Sequence, residues 1–590
     1  MKLKNFLHLA GLLLAAACSR GTVDPTVAVF TPLDYEGQPS VSYDPATQYR
    51  NPILPGFYPD PSICRVGEDY YMVNSTFGYY PGIPVWHSTD LVHWGQLGNA
   101  LTRNSQMPIR NTSIVMGVFA PQISYNPHNK LFYIINTIVG GYMNYFVTTD
   151  DPASGRWSEP TLLPDVTGID PSILFEEDGS AWIVSTATPE DFGEKRLYQA
   201  DNYIALLAFD WRSGKTMGER IAIARHGVDP SAEPASLEGP HLYHIGDKYF
   251  LMCAEGGTEQ GHSEVLFEAS AVTGPYQPCA INPILTQRDL PVGRTPFVNC
   301  TGHADLVQTA GGNWWAVFLG VEPYEGDYYF NVGRQTFLLP VTWIGGQPVI
   351  LPKGEPVPTV VDMDEEMRAL SAANRIAGFD GFRPGPLWDA DGIRDFVQFI
   401  RRPMKSSAVN GPVEEEPFDF MSSRKEGPWW SVDADGRLRL RLKPVDIRTA
   451  GNPAFVGERI TAKTFRAETR MTFMPIQADS VATCAGLALY QSDTQLMTFV
   501  KTLSGSGRPV LRLEQVRGGA VEQSFEEPLA SDKPLTLRVE AVTPTEYVFS
   551  YSFDGKKFTP VGGPLDGRVL STQEAGGFQG AMVGVYGWRP

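Results

Sequence analysis

Residues 60–73 read Asp60-Pro-Ser-Ile-Cys-Arg-Val-Gly-Glu-Asp-Tyr-Tyr-Met-Val73. A short run opened by an acid meets a tight polar turn and continues as a strand rich in aromatics, which predicts a β-hairpin. The layout returns as Ala120-Pro-Gln-Ile-Ser followed by Asn129-Lys-Leu-Phe-Tyr-Ile-Ile, and as Asp170-Pro-Ser-Ile-Leu followed by Asp178-Gly-Ser-Ala-Trp-Ile-Val. It returns again as Glu238-Gly-Pro-His-Leu with Gly246-Asp-Lys-Tyr-Phe-Leu-Met, and as His303-Ala-Asp-Leu-Val with Gly311-Gly-Asn-Trp-Trp-Ala-Val. The starts lie 60, 50, 68 and 65 residues apart. Repeated β-units of this size predict propeller blades, and five units predict a five-bladed β-propeller.

Composition agrees with an all-β reading. The 590 residues include 58 Gly and 48 Pro without a collagen-like period, a turn-rich load that favours short strands over long helices. Hydrophobic residues make up 42% and charged residues 19%, which excludes a wholly disordered chain. The net charge of −18 speaks against nucleic-acid binding, which needs clustered Lys and Arg, and suits a neutral substrate.

Lys2 and Lys4 precede an apolar run, Phe6 to Ala17, too short to span a membrane and laid out as a secretory signal. Its end, Leu14-Ala15-Ala16-Ala17-Cys18, resembles a bacterial lipoprotein cleavage box, although such boxes more often carry Leu where this chain has Ala15. The expectation is a lipoprotein-type leader over 1–18, lipidation at Cys18, and a Pro-rich polar tether over 19–45. The protein would then sit at a bacterial cell envelope, periplasmic or on the outer surface, held to the membrane only by that anchor. The other five cysteines, Cys64, Cys253, Cys279, Cys300 and Cys484, are odd in number and irregular in spacing. They form neither a disulfide framework nor a zinc pattern. Cys64 and Cys253 read as core thiols.

In a propeller the first strand of each blade lines the axis, so equivalent positions converge there. The repeats open with Asp60, Ala120, Asp170, Glu238 and His303. A single Asp-Pro-Ser would read as a turn opener; three acids at matched openings point to a site. Two carboxylates across a sugar ring are the minimum apparatus of glycoside hydrolysis, one protonating the leaving oxygen and the other activating water or attacking directly. A third carboxylate can raise the pKa of the acid and orient it.

The stretch Asn51-Pro-Ile-Leu-Pro-Gly-Phe-Tyr-Pro-Asp60-Pro-Ser-Ile resembles the opening blade of glycoside hydrolase family 43. Gly168-Ile-Asp170-Pro-Ser-Ile-Leu-Phe, Leu237-Glu238-Gly-Pro-His-Leu-Tyr, Ala254-Glu-Gly-Gly-Thr258, Thr301-Gly-His303-Ala-Asp-Leu and Gly333-Arg334-Gln-Thr-Phe continue the match in order over roughly residues 48–350. The resemblance implies an inverting enzyme with Asp60 as general base, Glu238 as general acid and Asp170 as pKa modulator and orienter. It implies His303 on the axis near the base, Arg334 on the substrate and Phe119 in the pocket wall. Trp86 either lines the pocket, where the family often has an aromatic, or packs in the core. No cofactor is implied, and the position of His303 leaves room for a divalent cation. Asn74-Ser-Thr is a formal glycosylation signal, moot behind a bacterial-type leader.

After Pro356 the composition shifts. Residues 357–425, with Glu414-Glu-Glu-Pro, read as linker and lead-in. Period-two runs such as Arg437-Leu-Arg-Leu-Arg-Leu442 and Leu535-Thr-Leu-Arg-Val-Glu540 then predict a sandwich over 426–590. Pro453-Ala-Phe-Val-Gly and Ala575-Gly-Gly-Phe-Gln-Gly-Ala-Met-Val-Gly-Val-Tyr586 resemble the C-terminal lectin-like sandwich (a concanavalin A-like jelly roll) of family 43 β-xylosidases. The propeller is assigned to 46–356. The functional expectation is an exo-glycosidase removing terminal β-D-xylosyl or α-L-arabinofuranosyl groups from plant cell-wall polysaccharide of the xylan type or its oligosaccharides. Two rivals are a fructan or sucrose hydrolase on a similar propeller and a non-catalytic carbohydrate-binding surface lipoprotein. The Tyr58-Pro-Asp60-Pro-Ser opening argues against the first, and the presence of all three acids against the second.

Overall fold

The five repeats fold as five radial sheets in a computed structural model that describes residues 24–590 apart from 39–40, 110–111, 229–235, 325–327, 375–384, 405–417 and 479. The predicted leader and Cys18 therefore lie outside the described residues, as does Glu414-Glu-Glu. Among the described residues no helix is long and apolar enough to cross a membrane.

The innermost strands are Ser62–Val66, Gly117–Asn126, Ile169–Phe175, Glu238–Ile245 and Asn299–Gln308. Each lies against the next, and the fifth lies against the first. Blades one to three are four-stranded, and the fourth adds a fifth short strand. The fifth blade has three strands, and the segment ahead of blade one completes it. Leu54 and Thr336 exchange backbone hydrogen bonds at 3.2 Å, and the Asn51 amide brackets Leu338, donating to its carbonyl at 2.8 Å and accepting its N–H at 2.9 Å. The first segment of the propeller thus seals the last blade.

A ring of side chains stitches the blades around the axis. Asp305 of blade five accepts from Ser62 Oγ at 2.7 Å and the Ile63 N–H at 2.9 Å in blade one. Ser62 Oγ accepts the Ile123 N–H of blade two at 3.1 Å. Gln122 accepts the Ile173 N–H of blade three at 3.1 Å, and Ser172 donates to Pro240 O of blade four at 2.7 Å. Tyr243 of blade four donates to Asp305 at 2.6 Å and closes the circle. All of these groups are buried or nearly so, where an unmade hydrogen bond costs about 1–3 kcal/mol.

The 19–45 tether needs correction. Val27–Phe30 is a strand between Leu438–Arg441 and Phe465–Thr472, in the middle of one sheet of the C-terminal sandwich, and Asp34–Gly37 pairs with the far end of Phe465–Thr472. Alternation explains it: Ala28 and Phe30 point into the sandwich core and are fully buried, while Val27 and Val29 are not. The second sheet runs in the order Ala454–Arg459, Met582–Trp588, Cys484–Ser492, Gln495–Leu503, Pro509–Arg517 and Ala520–Pro528. The sandwich is therefore built from both ends of the chain.

The 357–425 linker also needs correction. Val360–Asp362 pairs with Gln48–Arg50. The helix Glu365–Ala372 follows, with Asp364 Oδ1 accepting the Met367 N–H at 2.7 Å as its N-cap, and Met367 is buried in the propeller core. Phe399–Ile400 pairs with Tyr79–Tyr80, and Leu387, Trp388, Val397, Phe399 and Ile400 are all buried. The charged and Pro-rich composition hid these apolar anchors, each contributing about 1.5–3 kcal/mol on full burial. The outer face of the second sandwich sheet meets the propeller through Phe455, Tyr490 and Met582 against Phe57, Tyr79 and Ile114.

Candidate active site

The axial residues are shaped by one recurring backbone feature. Asp60, Ala120, Asp170, Gly239 and His303 have φ of 51°, 38°, 53°, 58° and 50°. In blades two to five the ladder between the first two strands slips at this point, a bulge that re-aims a side chain. The feature corrects the repeat register. Glu238 is not the counterpart of Asp60 and Asp170; Gly239 is, and Glu238 stands one residue earlier, in the place that Phe119 takes in blade two. Glycine at 239 has two causes: a left-handed φ, and a Cβ there would come 3.1 Å from the His303 ring.

The bulges bring the predicted acids together. Asp60 is 7% exposed; its Oδ2 accepts from Ser75 Oγ at 2.5 Å, and its Oδ1 lies 3.6 Å from His303 Nδ1. Asp170, also 7% exposed, accepts the Gly239 N–H at 3.2 Å, so it holds the peptide that carries Glu238. Burial pushes the Glu238 carboxyl up to about 7, the Asp60 charge adds to the rise, and the Arg334 guanidinium opposes it. Burial likewise raises Asp170 well above the usual carboxylate range, helped by Glu238 and Asp60 and opposed by the Gly239 N–H and Arg334. Burial is the largest cause for both acids; the carboxylate that acts on Glu238 is Asp60, while Asp170 responds to Glu238 and Asp60. Burial pushes His303 down to about 4, leaving a neutral imidazole near neutrality.

Arg334 is buried beside these acids, with its guanidinium 4.8 Å from the Phe578 ring and Nη2 donating to Thr258 O at 3.5 Å. Phe119 is partly buried and stands edge-on to Phe77 at 5.0 Å and to Phe578 at 6.0 Å. Phe578 comes from the sandwich. A Cβ on Gly333 would come 2.6 Å from Gly580 Cα, so the two backbones touch, and the Ala581 N–H donates to Asn331 O at 2.8 Å. This contact seats the loop around Phe578 on the propeller rim. Trp86 takes the core alternative: it is 2% exposed, edge-on to Tyr58 at 5.2 Å, and its indole N–H donates to Asn74 Oδ1 at 3.1 Å.

Sequence reasoning missed Ser75, Phe77 and Phe578 as parts of this site. The glycines flanking Phe578 are the only signal that its loop makes a close approach. His303 turns its Nδ1 toward one carboxylate, and among the described residues no three His, Cys, Asp or Glu gather as metal ligands. No step below runs through a divalent cation.

The arrangement offers a carboxyl that keeps its proton near neutrality, a second carboxylate fixed by one oxygen, an orienting acid and a cation, inside an aromatic wall. That is the equipment of acid–base glycoside cleavage. The family model for glycosyl hydrolases family 43 matches residues 49–348, and that for the beta xylosidase C-terminal concanavalin A-like domain matches residues 414–589. A xylosidase/arabinosidase of Butyrivibrio fibrisolvens is 34% identical over 543 residues, covering 91% of this chain and 95% of that one. A non-reducing end alpha-L-arabinofuranosidase of Bacteroides ovatus is 33% identical over 544 residues, with 91% of each covered. The crystal structure of a GH43_12 protein retrieved from a capybara gut metagenome superposes with a TM-score of 0.81 at 34% identity, covering 95% of this chain and 99% of that one. The converging acids, the propeller with its sandwich and these full-length likenesses together make the chain a member of glycoside hydrolase family 43, an inverting glycoside hydrolase.

Proposed function

We propose that the chain removes single terminal β-D-xylosyl or α-L-arabinofuranosyl groups from xylan-type polysaccharide or its oligosaccharides, with Glu238 as acid and Asp60 as base. Glu238 gives its proton to the glycosidic oxygen as the bond from that oxygen to the anomeric carbon breaks. Water attacks the same carbon from the opposite face and passes a proton to Asp60, which inverts the configuration. Asp170 holds the Gly239 peptide and with it Glu238. Arg334 and the Phe119–Phe578 wall receive the sugar. The observation that carries the reading is Glu238 held near 7 by burial beside a second, separately anchored carboxylate. The likeness to relatives named for xylosidase and arabinofuranosidase activity supports both sugars as substrates. The leader layout supports a lipid anchor at Cys18 and a place at a bacterial cell envelope.

The test compares kcat/KM on an aryl β-D-xyloside and an aryl α-L-arabinofuranoside and follows the anomer first released by NMR. Turnover of at least one, with inversion, is expected. Turnover of neither, or release with retention, overturns the reading.

A further inference from the structure

The triplet Asn74-Ser75-Thr76 has the form of a glycosylation signal, yet its side chains are fully buried and every one is engaged. Asn74 Nδ2 lies 3.1 Å from Tyr58 O, Pro59 O and Thr336 Oγ1, and its Oδ1 accepts the Trp86 indole N–H. The Ser75 N–H donates to Pro59 O at 3.2 Å, and Thr76 Oγ1 accepts the Ile83 N–H at 3.3 Å. The triplet therefore grips the backbone of the two residues just ahead of Asp60.

Ser75 does more. Its Oγ accepts the Ala120 N–H at 2.7 Å and lies 2.5 Å from Asp60 Oδ2. A hydroxyl has one proton. With the Ala120 N–H pointing at the oxygen, that proton goes to the Asp60 carboxylate. The Ala120 N–H is available because the bulge in blade two removes Ala120 and Pro121 from the ladder, which pairs Phe119 with Thr137 and Gln122 with Ile135. Blade two, whose opener brings no functional side chain to the axis, thus contributes its backbone instead. Oδ2 is held and Oδ1 is left facing His303 and the channel.

We propose that Asn74-Ser75-Thr76 is the cradle of the general base, with Ser75 the positioning residue that assigns Oδ2 to structure and Oδ1 to the attacking water. The proposal rests on the reading of Asp60 as base. It makes Ser75 matter to the chemical step and not to the binding of substrate.

The experiment uses the full chain carrying Ser75→Ala or Ser75→Cys, the second close in volume and a weaker donor, so that a folding defect of the first does not decide the result. A hydrogen bond to a charged group sets the scale: kcat in Ser75→Ala falls about tenfold to a hundredfold, with KM within about twofold. Ser75→Cys falls between. The acid limb of kcat/KM moves up by as much as about one pH unit, because a donor to the charged form is gone. The loss is the same for good and poor leaving groups. An unchanged acid limb in both variants, or a loss carried by KM, overturns the cradle. Asp60→Ala run in parallel separates the two ideas. If it is inactive and azide restores turnover while Ser75→Ala keeps the wild-type limb, the base stands and the cradle falls. If it keeps full turnover, the base assignment falls and takes the cradle with it.

Discussion

Glu238→Gln should make the protein more stable while slowing turnover of natural substrates by about 10²–10⁴-fold, and the gain in stability should depend on pH. Burial holds the Glu238 proton to about 7, against 4.5 for an ordinary glutamate. The folded chain therefore binds this proton more tightly than the unfolded chain. The stability that the group contributes is whole below about pH 4.5 and is lost as pH rises through about 7. At about 1.4 kcal/mol per tenfold change in proton affinity, the loss is at most about 3 kcal/mol. Glutamine has no proton to lose and escapes it. The two proteins should unfold alike near pH 4.5, and the variant should lead by about 2–3 kcal/mol above pH 8, a few degrees in Tm for domains of this size. Calorimetric melts of both proteins across that range give the comparison. Parallel curves, or a gap that widens toward acid, would refute the claim that burial strains this carboxylate.

The remaining predictions concern roles. Glu238→Ala should cost about 10²–10⁴-fold on xylo-oligosaccharides and much less on an aryl glycoside with an acidic phenol, which departs without protonation; Asp60→Ala should cost both substrates alike, and equal leaving-group sensitivity in the two variants would mean the acid and base are misassigned. Phe578→Ala should raise KM several-fold with the melting temperature nearly unchanged, since it trims a partly exposed wall; an unchanged KM would place the sugar elsewhere. Cys18→Ala should move the protein from the membrane fraction to the soluble one at full specific activity, as fractionation and an activity assay together would show; unchanged partitioning would remove the anchor.

What could be read beforehand follows from how local each signal is. Asp60 and Asp170 stand in Asp-Pro-Ser-Ile, where the proline, the small residue and the strand start are adjacent, so the opening and its acid appear together. Glu238 was legible as a motif, but its register slipped by one, because a glycine has the left-handed place that an acid fills in two other blades. The bulge that makes this so is a property of pairing with the next strand, invisible along one chain. Phe578 lay beyond reach for a different reason: nothing in Gly-Gly-Phe says which surface, some 240 residues earlier in sequence, its loop will meet. Val27-Ala-Val-Phe30 is too short to announce itself, and its ladder partners lie more than 400 residues away. The apolar anchors in 387–400 were lost in a segment whose average composition is that of a linker.

The strand Val27–Phe30 has a consequence for how the molecule is made. It is among the first parts of the folded chain to be synthesised, yet both of its neighbours in the sheet come after residue 437. Until they emerge, its two rows of backbone groups and the Phe30 side chain have no place to go. The propeller can close on its own first segment, but the sandwich waits for the last third of the chain. Cutting the gene at the apparent boundary between the two domains would leave a catalytic half with a dangling strand and a sandwich with a gap at its centre. Domains that look consecutive along the sequence are, in assembly, nested one inside the other.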